Sequence, residues 1–130
     1  MTTYLPGQPD LAKRLKDKEQ MLVICFCAAW CDTCRAYQPK FEALSESFPQ
    51  ASFVWVDIED EPELLGDEDI ENFPTLLIER AGGIKFFGTM LPHIEQLERL
   101  IRSTQPEDKN HETGLPDLRH MLIAMSEGKD

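Results

Sequence analysis

Basic side chains are scarce in this chain. Its 130 residues hold 13 Lys and Arg against 24 Asp and Glu, a formal net charge of −11. Nucleic acid and anionic membrane both need a positive face that displaces counterions, so neither is expected as a partner. Long apolar runs are missing too, and none approaches the roughly 20 residues that span a bilayer. The start, Met1-Thr2-Thr3-Tyr4-Leu5-Pro6-Gly7-Gln8-Pro9, has neither the basic opening nor the apolar stretch of a secretory signal. The expected location is therefore the cytoplasm, where structural disulfides are uncommon. Cysteine is absent outside positions 25 to 34, which hold all four. A disulfide framework would spread its cysteines to close long loops, so this cluster reads as chemistry or metal binding.

What is present is the material of one folded domain. Hydrophobic residues make up 42% of the chain, too many for a disordered acidic tract. A chain of this length removes roughly two-thirds of its unfolded surface from water. Pro9-Asp10 with Leu11 and Leu15 predicts a short helix to about Lys18. Met21 to Ala28 is continuously apolar, as in a strand buried on both faces. From Cys34 onward, Tyr37, Phe41, Leu44 and Phe48 mark one face of a helix that contains Pro39, where a kink is expected.

Ser52 to Asp57 is a second strand candidate, with Trp55 read as core. Nine carboxylates and no basic residue then lie between Asp57 and Glu71. Such a run is either a solvated face or an electrostatic guide for a basic client. It holds a short helix expected from Pro62 to Ile70, interrupted near Gly66. Thr75–Glu79 and Ile84–Phe87 flank Ala81-Gly82-Gly83, a hairpin signal. Pro92 opens a last core helix carrying Ile94, Leu97, Leu100 and Ile101.

The order α-β-α-β-α-β-β-α implies a parallel crossover followed by antiparallel partners. Residues 1–102 form the domain and 103–114 read as a polar linker. A tail over 115–130 carries a short amphipathic helix through Leu118, Met121, Leu122 and Met125. That helix either docks on its own domain, frays, or receives a partner.

Trp30-Cys31-Asp32-Thr33-Cys34 falls where the buried strand gives way to a helix. In a first helical turn, residues three apart have alpha carbons within the disulfide window of about 4.4–6.8 Å. The unpaired N–H groups and dipole of a helix start favour thiolate over thiol at Cys31. Cys31 is then the exposed attacking sulfur and Cys34 the buried resolving one. A lone C-x-x-C is shared with zinc knuckles. Cys25 and Cys27, on one strand face with alpha carbons about 6.7 Å apart, are too distant for an unstrained bridge. They read either as buried thiols packing like small hydrophobes or, with Cys31 and Cys34, as four soft ligands for zinc or an iron–sulfur cluster. His93, His111 and His120 are scattered and receive no catalytic role.

The run Phe26-Cys27-Ala28-Ala29-Trp30-Cys31-Asp32-Thr33-Cys34-Arg35, with Pro39 beyond it, resembles the active site and kinked helix of the thioredoxin family. Phe73-Pro74-Thr75 resembles that family's cis-proline loop, and Gly88 the glycine past its hairpin. The likeness spans about positions 10 to 102. It implies a three-layer α/β/α sandwich with a mixed central sheet, to which the C-terminal helix is added. It also implies a cis Pro74 facing the cysteines. Trp30, Asp32, Thr33, Phe73, Pro74 and Thr75 would form the surface that receives a substrate chain.

The function so implied is a thiol–disulfide oxidoreductase, acting as a monomeric protein disulfide reductase without bound cofactor or metal. Its partners would be a disulfide-containing client protein and a separate electron-donating reductase. The alternatives are a disulfide oxidant or isomerase, or a partner-binding protein with a redox-switchable cysteine pair.

Four positions depart from the family pattern. Asp32-Thr33 replaces the usual Gly-Pro; Asp32 disfavours a thiolate at Cys31, while Arg35 acts in the other sense. Cys25 stands where the family carries a buried aspartate assigned to proton transfer, and Trp55 replaces a lysine on the neighbouring strand. Losing that carboxylate removes its desolvation cost and a candidate base. Slower resolution of the mixed disulfide is the expectation, unless water or another carboxylate substitutes.

Overall fold

The computed structural model describes residues 3–128. A strand β1 (Thr3–Tyr4) and helix α1 (Pro9–Leu15) lead into β2 (Met21–Cys27), α2 (Asp32–Ser45) and β3 (Ala51–Asp57). A 3-10 turn (Pro62–Leu65) precedes the hairpin β4 (Thr75–Arg80) and β5 (Gly83–Thr89). Helices α3 (Ile94–Ser103) and α4 (Leu118–Ser126) follow. The sheet order is β1-β3-β2-β4-β5, with β2 parallel to β3 and antiparallel to β4.

Every residue of β2 is buried, as its unbroken apolar run requires of a strand covered on both faces. Period-two alternation divides it between two cores. Met21, Val23, Cys25 and Cys27 pack with Tyr37, Phe41 and Leu44 of α2 and Leu97 and Ile101 of α3. Leu22, Ile24 and Phe26 pack on the other face with Leu11 and Leu15 of α1 and Leu118 and Leu122 of α4. The result is the expected three-layer α/β/α sandwich with a mixed sheet. Trp55 is partly buried against the first core, its ring centroid 5.8 Å from that of Phe41.

Several local expectations change. β1 is too short to show a period and was invisible in the sequence; it pairs Thr3 with Phe53 and Tyr4 with Val54 along the sheet edge. α1 ends at Leu15, where the N–H of Lys16 bonds the Ala12 carbonyl at 3.1 Å. The acidic stretch holds only the 3-10 turn, closed by Gly66 at φ +56°. A side chain at Gly66 would also meet the Gly114 carbonyl oxygen at 2.6 Å. Between β4 and β5, Ala81 and Gly82 both take positive φ, 54° and 81°, the backbone of a type I′ turn.

Beyond α3 the chain wraps across the β5 edge to reach the opposite face. His111 N–H donates to the Ile84 carbonyl at 2.7 Å, and Lys85 Nζ donates to the Asp108 carbonyl at 2.6 Å. This segment covers an edge that would otherwise present unpaired strand groups. Asp117 caps α4 by accepting the His120 N–H at 3.1 Å. Arg119, largely buried, donates to Glu79 Oε1 at 2.7 Å and to the carbonyls of Leu15 and Gln20 at 2.8 and 2.6 Å. α4 is thus docked on its own domain. No helix among the described residues is long and apolar enough to cross a membrane.

Because Leu122 is fully buried under α1, Leu122→Ala should cost about 2–5 kcal/mol in denaturant unfolding. Limited proteolysis of the intact protein should spare residues 118–126. Rapid clean loss of the tail, with an unchanged core, would contradict this packing.

Candidate active site

The cysteine site lies where β2 ends and α2 begins. β2 emerges at Cys27, the chain turns through Ala28 to Trp30, and Cys31 becomes the N-cap of α2 with extended backbone angles of −90° and 117°. Cys31 N–H bonds the Ala28 carbonyl at 3.0 Å, closing the turn, and the Arg35 N–H returns to the Cys31 carbonyl at 3.2 Å. The Cys31 thiol is free and partly exposed, whereas Cys34 is only 1% exposed. The helical period puts Cys34, Tyr37 and Phe41 on the inner face, over Cys25 and Cys27.

Cys34 is disulfide-bonded to Cys27, with alpha carbons 5.8 Å apart. The structure therefore does not pair Cys34 with Cys31, and Cys27 is not a free packing thiol. The physical reason is the face each residue occupies. Cys27 and Cys34 are buried in the same core from strand and helix, while Cys31 at the cap is only partly buried against its edge. Cys27 is the site residue that spacing arguments missed, although strand alternation already put it on the α2 face. Cys25 remains a free buried thiol with its sulfur 3.7 Å from that of Cys27. No group of three or more His, Cys, Asp or Glu side chains among the described residues is arranged to hold a metal ion.

Burial pushes the Cys25 thiol well above its ordinary pKa, so it stays protonated. The Tyr37 hydroxyl is raised as well, first by burial and then by Cys25, and its oxygen has no hydrogen-bond partner. Asp32 and Thr33 are exposed on the first turn of α2. The opposing charges beside Cys31 meet each other: Arg35 forms an ion pair with Asp32 and donates to the Ala29 carbonyl at 2.8 Å. With both side chains largely in solvent, such a pair contributes little to stability.

Sheet register brings the second loop to this place. Phe26 pairs with Thr75, so the residues before β4 sit beside the end of β2. The Phe73–Pro74 peptide bond is cis. The loop is held by Thr75 Oγ1, which donates to the Asn72 carbonyl at 2.7 Å, and by the Met90 N–H, which donates to the Pro74 carbonyl at 3.1 Å. Phe73 meets Trp30 edge to face with ring centroids 5.6 Å apart, and Trp30 is 63% exposed. Pro74 and Thr75 are buried. Along the acidic stretch, Glu61 is raised to about 7 by desolvation and by its neighbours Glu63 and Asp60.

Comparison with known proteins agrees with this geometry. The sequence model of the Thioredoxin family matches residues 8–102. A thioredoxin from Geodia cydonium is 31% identical over 83 residues, 63% of this chain and 78% of that protein. An H-type thioredoxin from Fagopyrum esculentum is 31% identical over 95 residues, 73% of this chain and 72% of that protein. The crystal structure of Schistosoma mansoni thioredoxin aligns with a TM-score of 0.65 at 28% identity, covering 78% of this chain and 94% of that one. The matched span takes in β2, α2, the Pro74 loop and the hairpin, and the chain belongs to the thioredoxin family of thiol–disulfide oxidoreductases.

Proposed function

We propose that the protein is a cytoplasmic protein disulfide reductase in which Cys31 is the nucleophile and Cys34 the resolving cysteine. The observation that carries this reading is the partly exposed Cys31 thiol at the α2 N-cap, three residues before the buried Cys34. With Cys34 reduced, Cys31 thiolate attacks one sulfur of a client disulfide and the other client sulfur leaves as a thiol. Cys34 then attacks Cys31 in the mixed disulfide and releases the second client thiol. The chemistry needs no bound cofactor. Electrons enter from a separate reductase, and the protein works as a monomer. A reducing compartment suits cysteines gathered within ten residues, none placed to close a long loop.

Trp30, Phe73, Asp32 and Thr33 form the receiving surface, and backbone at Pro74 and Thr75 aligns the client as an extended strand. The acidic run from Asp57 to Glu71 leads into this loop and favours a client with a basic flank. Cys25 leaves the resolving step without a buried carboxylate, because a protonated thiol is a poor substitute base.

Cys34→Ser should accumulate mixed disulfides in cell extract that dithiothreitol releases, from clients with basic segments beside the reacting cysteine. Adding Cys31→Ser should abolish them. No adduct above the double variant would defeat the assignment. In single-turnover reduction of a small disulfide, Cys25→Asp should speed the resolving step by about tenfold or more. An unchanged rate would remove Cys25 from the account of proton transfer.

A further inference from the structure

The exchange reading assigns roles to Cys31 and Cys34 and none to Cys27, yet Cys27 is the residue bonded to Cys34. Both members of this bond are 1% exposed, while Cys31 keeps a free, partly exposed thiol. Cys34 is therefore within reach of two partners. One lies across the strand–helix junction, with alpha carbons 5.8 Å apart, and the other stands three residues back in its own first turn. Three sulfurs share one disulfide.

We propose that Cys27 is a third redox residue, which takes Cys34 from Cys31 after turnover and latches the oxidised protein in a buried disulfide. This rests on the reading that Cys31 and Cys34 exchange disulfides with a client. The step is an internal thiol–disulfide exchange. Cys27 gives up its proton and its sulfur attacks Cys34 Sγ. The Cys31–Cys34 bond breaks, and its electron pair leaves with Cys31, which takes up a proton. The Cys27–Cys34 bond forms, so one disulfide replaces another and no external oxidant or reductant is consumed. The sulfur of Cys25 lies 3.7 Å from that of Cys27 and gives the attacking sulfur a polar contact within the core.

The consequence follows from exposure. An external thiol must reach a sulfur of the disulfide it reduces, and both sulfurs of the buried isomer are covered. Cys31 can still form a mixed disulfide with a client, but its resolving partner is tied up. The latched form holds clients without releasing them. It resets when Cys31 thiolate attacks Cys34 Sγ and expels Cys27, restoring a disulfide that the reductase can reach.

The full chain should be oxidised with oxidised glutathione, quenched in acid, and alkylated with N-ethylmaleimide in denaturant. Chymotrypsin cuts after Phe26, Trp30 and Tyr37, which separates Cys27 on residues 27–30 from Cys31 and Cys34 on residues 31–37. The latch predicts these two peptides joined by a disulfide, with maleimide on Cys31 and, as in either isomer, on Cys25. It also predicts that oxidised Cys27→Ala carries Cys31–Cys34 alone and is reduced by dithiothreitol about tenfold faster than the wild type. Wild type found only with Cys31–Cys34 closed and the maleimide on Cys27 would overturn the latch and leave the reductase reading standing. Failure of Cys27→Ala to form Cys31–Cys34 would overturn both.

Discussion

The site depends on β2 being buried on both faces. A strand with helices over each side must send alternate residues into different cores, and β2 sends Cys25 and Cys27 toward α2. The same strand ends at Cys27, leaving a short turn before Cys31 caps the helix. Once that turn is made, the helical period sets the rest. Cys31 stays at the surface end of α2, and Cys34 drops into the core above the strand sulfurs. The register of β4 against β2 then carries Pro74 to the same end of the sheet. The free cap thiol, the buried helix sulfur and the cis-proline loop are consequences of one central strand.

Electrostatics at the junction are muted. Asp32 and Arg35, of opposite charge on the first turn beside Cys31, pair with each other in solvent. Beneath them lies Cys25, a protonated thiol that adds no charge to the core. An ionised carboxylate there would carry a desolvation cost of several kcal/mol, offset only by partners. With a neutral thiol in that place the core bears no such cost. It gains a row of sulfurs, Cys25 against Cys27 and Cys27 bonded to Cys34.

Much of the fold was legible because burial imprints a period. The continuous apolar run marked β2, the four-three-four spacing marked α2, and the turn residues marked the β4–β5 hairpin. What escaped was either too short or too distant to leave a pattern. β1 has two residues and shows no alternation. The docking of α4 turns on Arg119 reaching backbone some 100 positions away, at sequence separations of 99 and 104. At the site, Cys31 and Cys34 stood out by their spacing on one element. The Cys27–Cys34 bond joins a strand to a helix across seven residues, and only the packed geometry brings its halves together.

In the proposed function Cys31, held at the N-cap of α2, is the attacking sulfur of a disulfide reductase. The most direct measurement is the dithiothreitol-driven reduction of insulin disulfides, followed by turbidity, for the wild type and Cys31→Ser. The wild type should accelerate the reaction, and Cys31→Ser should give the rate of dithiothreitol alone. A Cys31→Ser variant as fast as the wild type, or a wild type no faster than dithiothreitol, would contradict it.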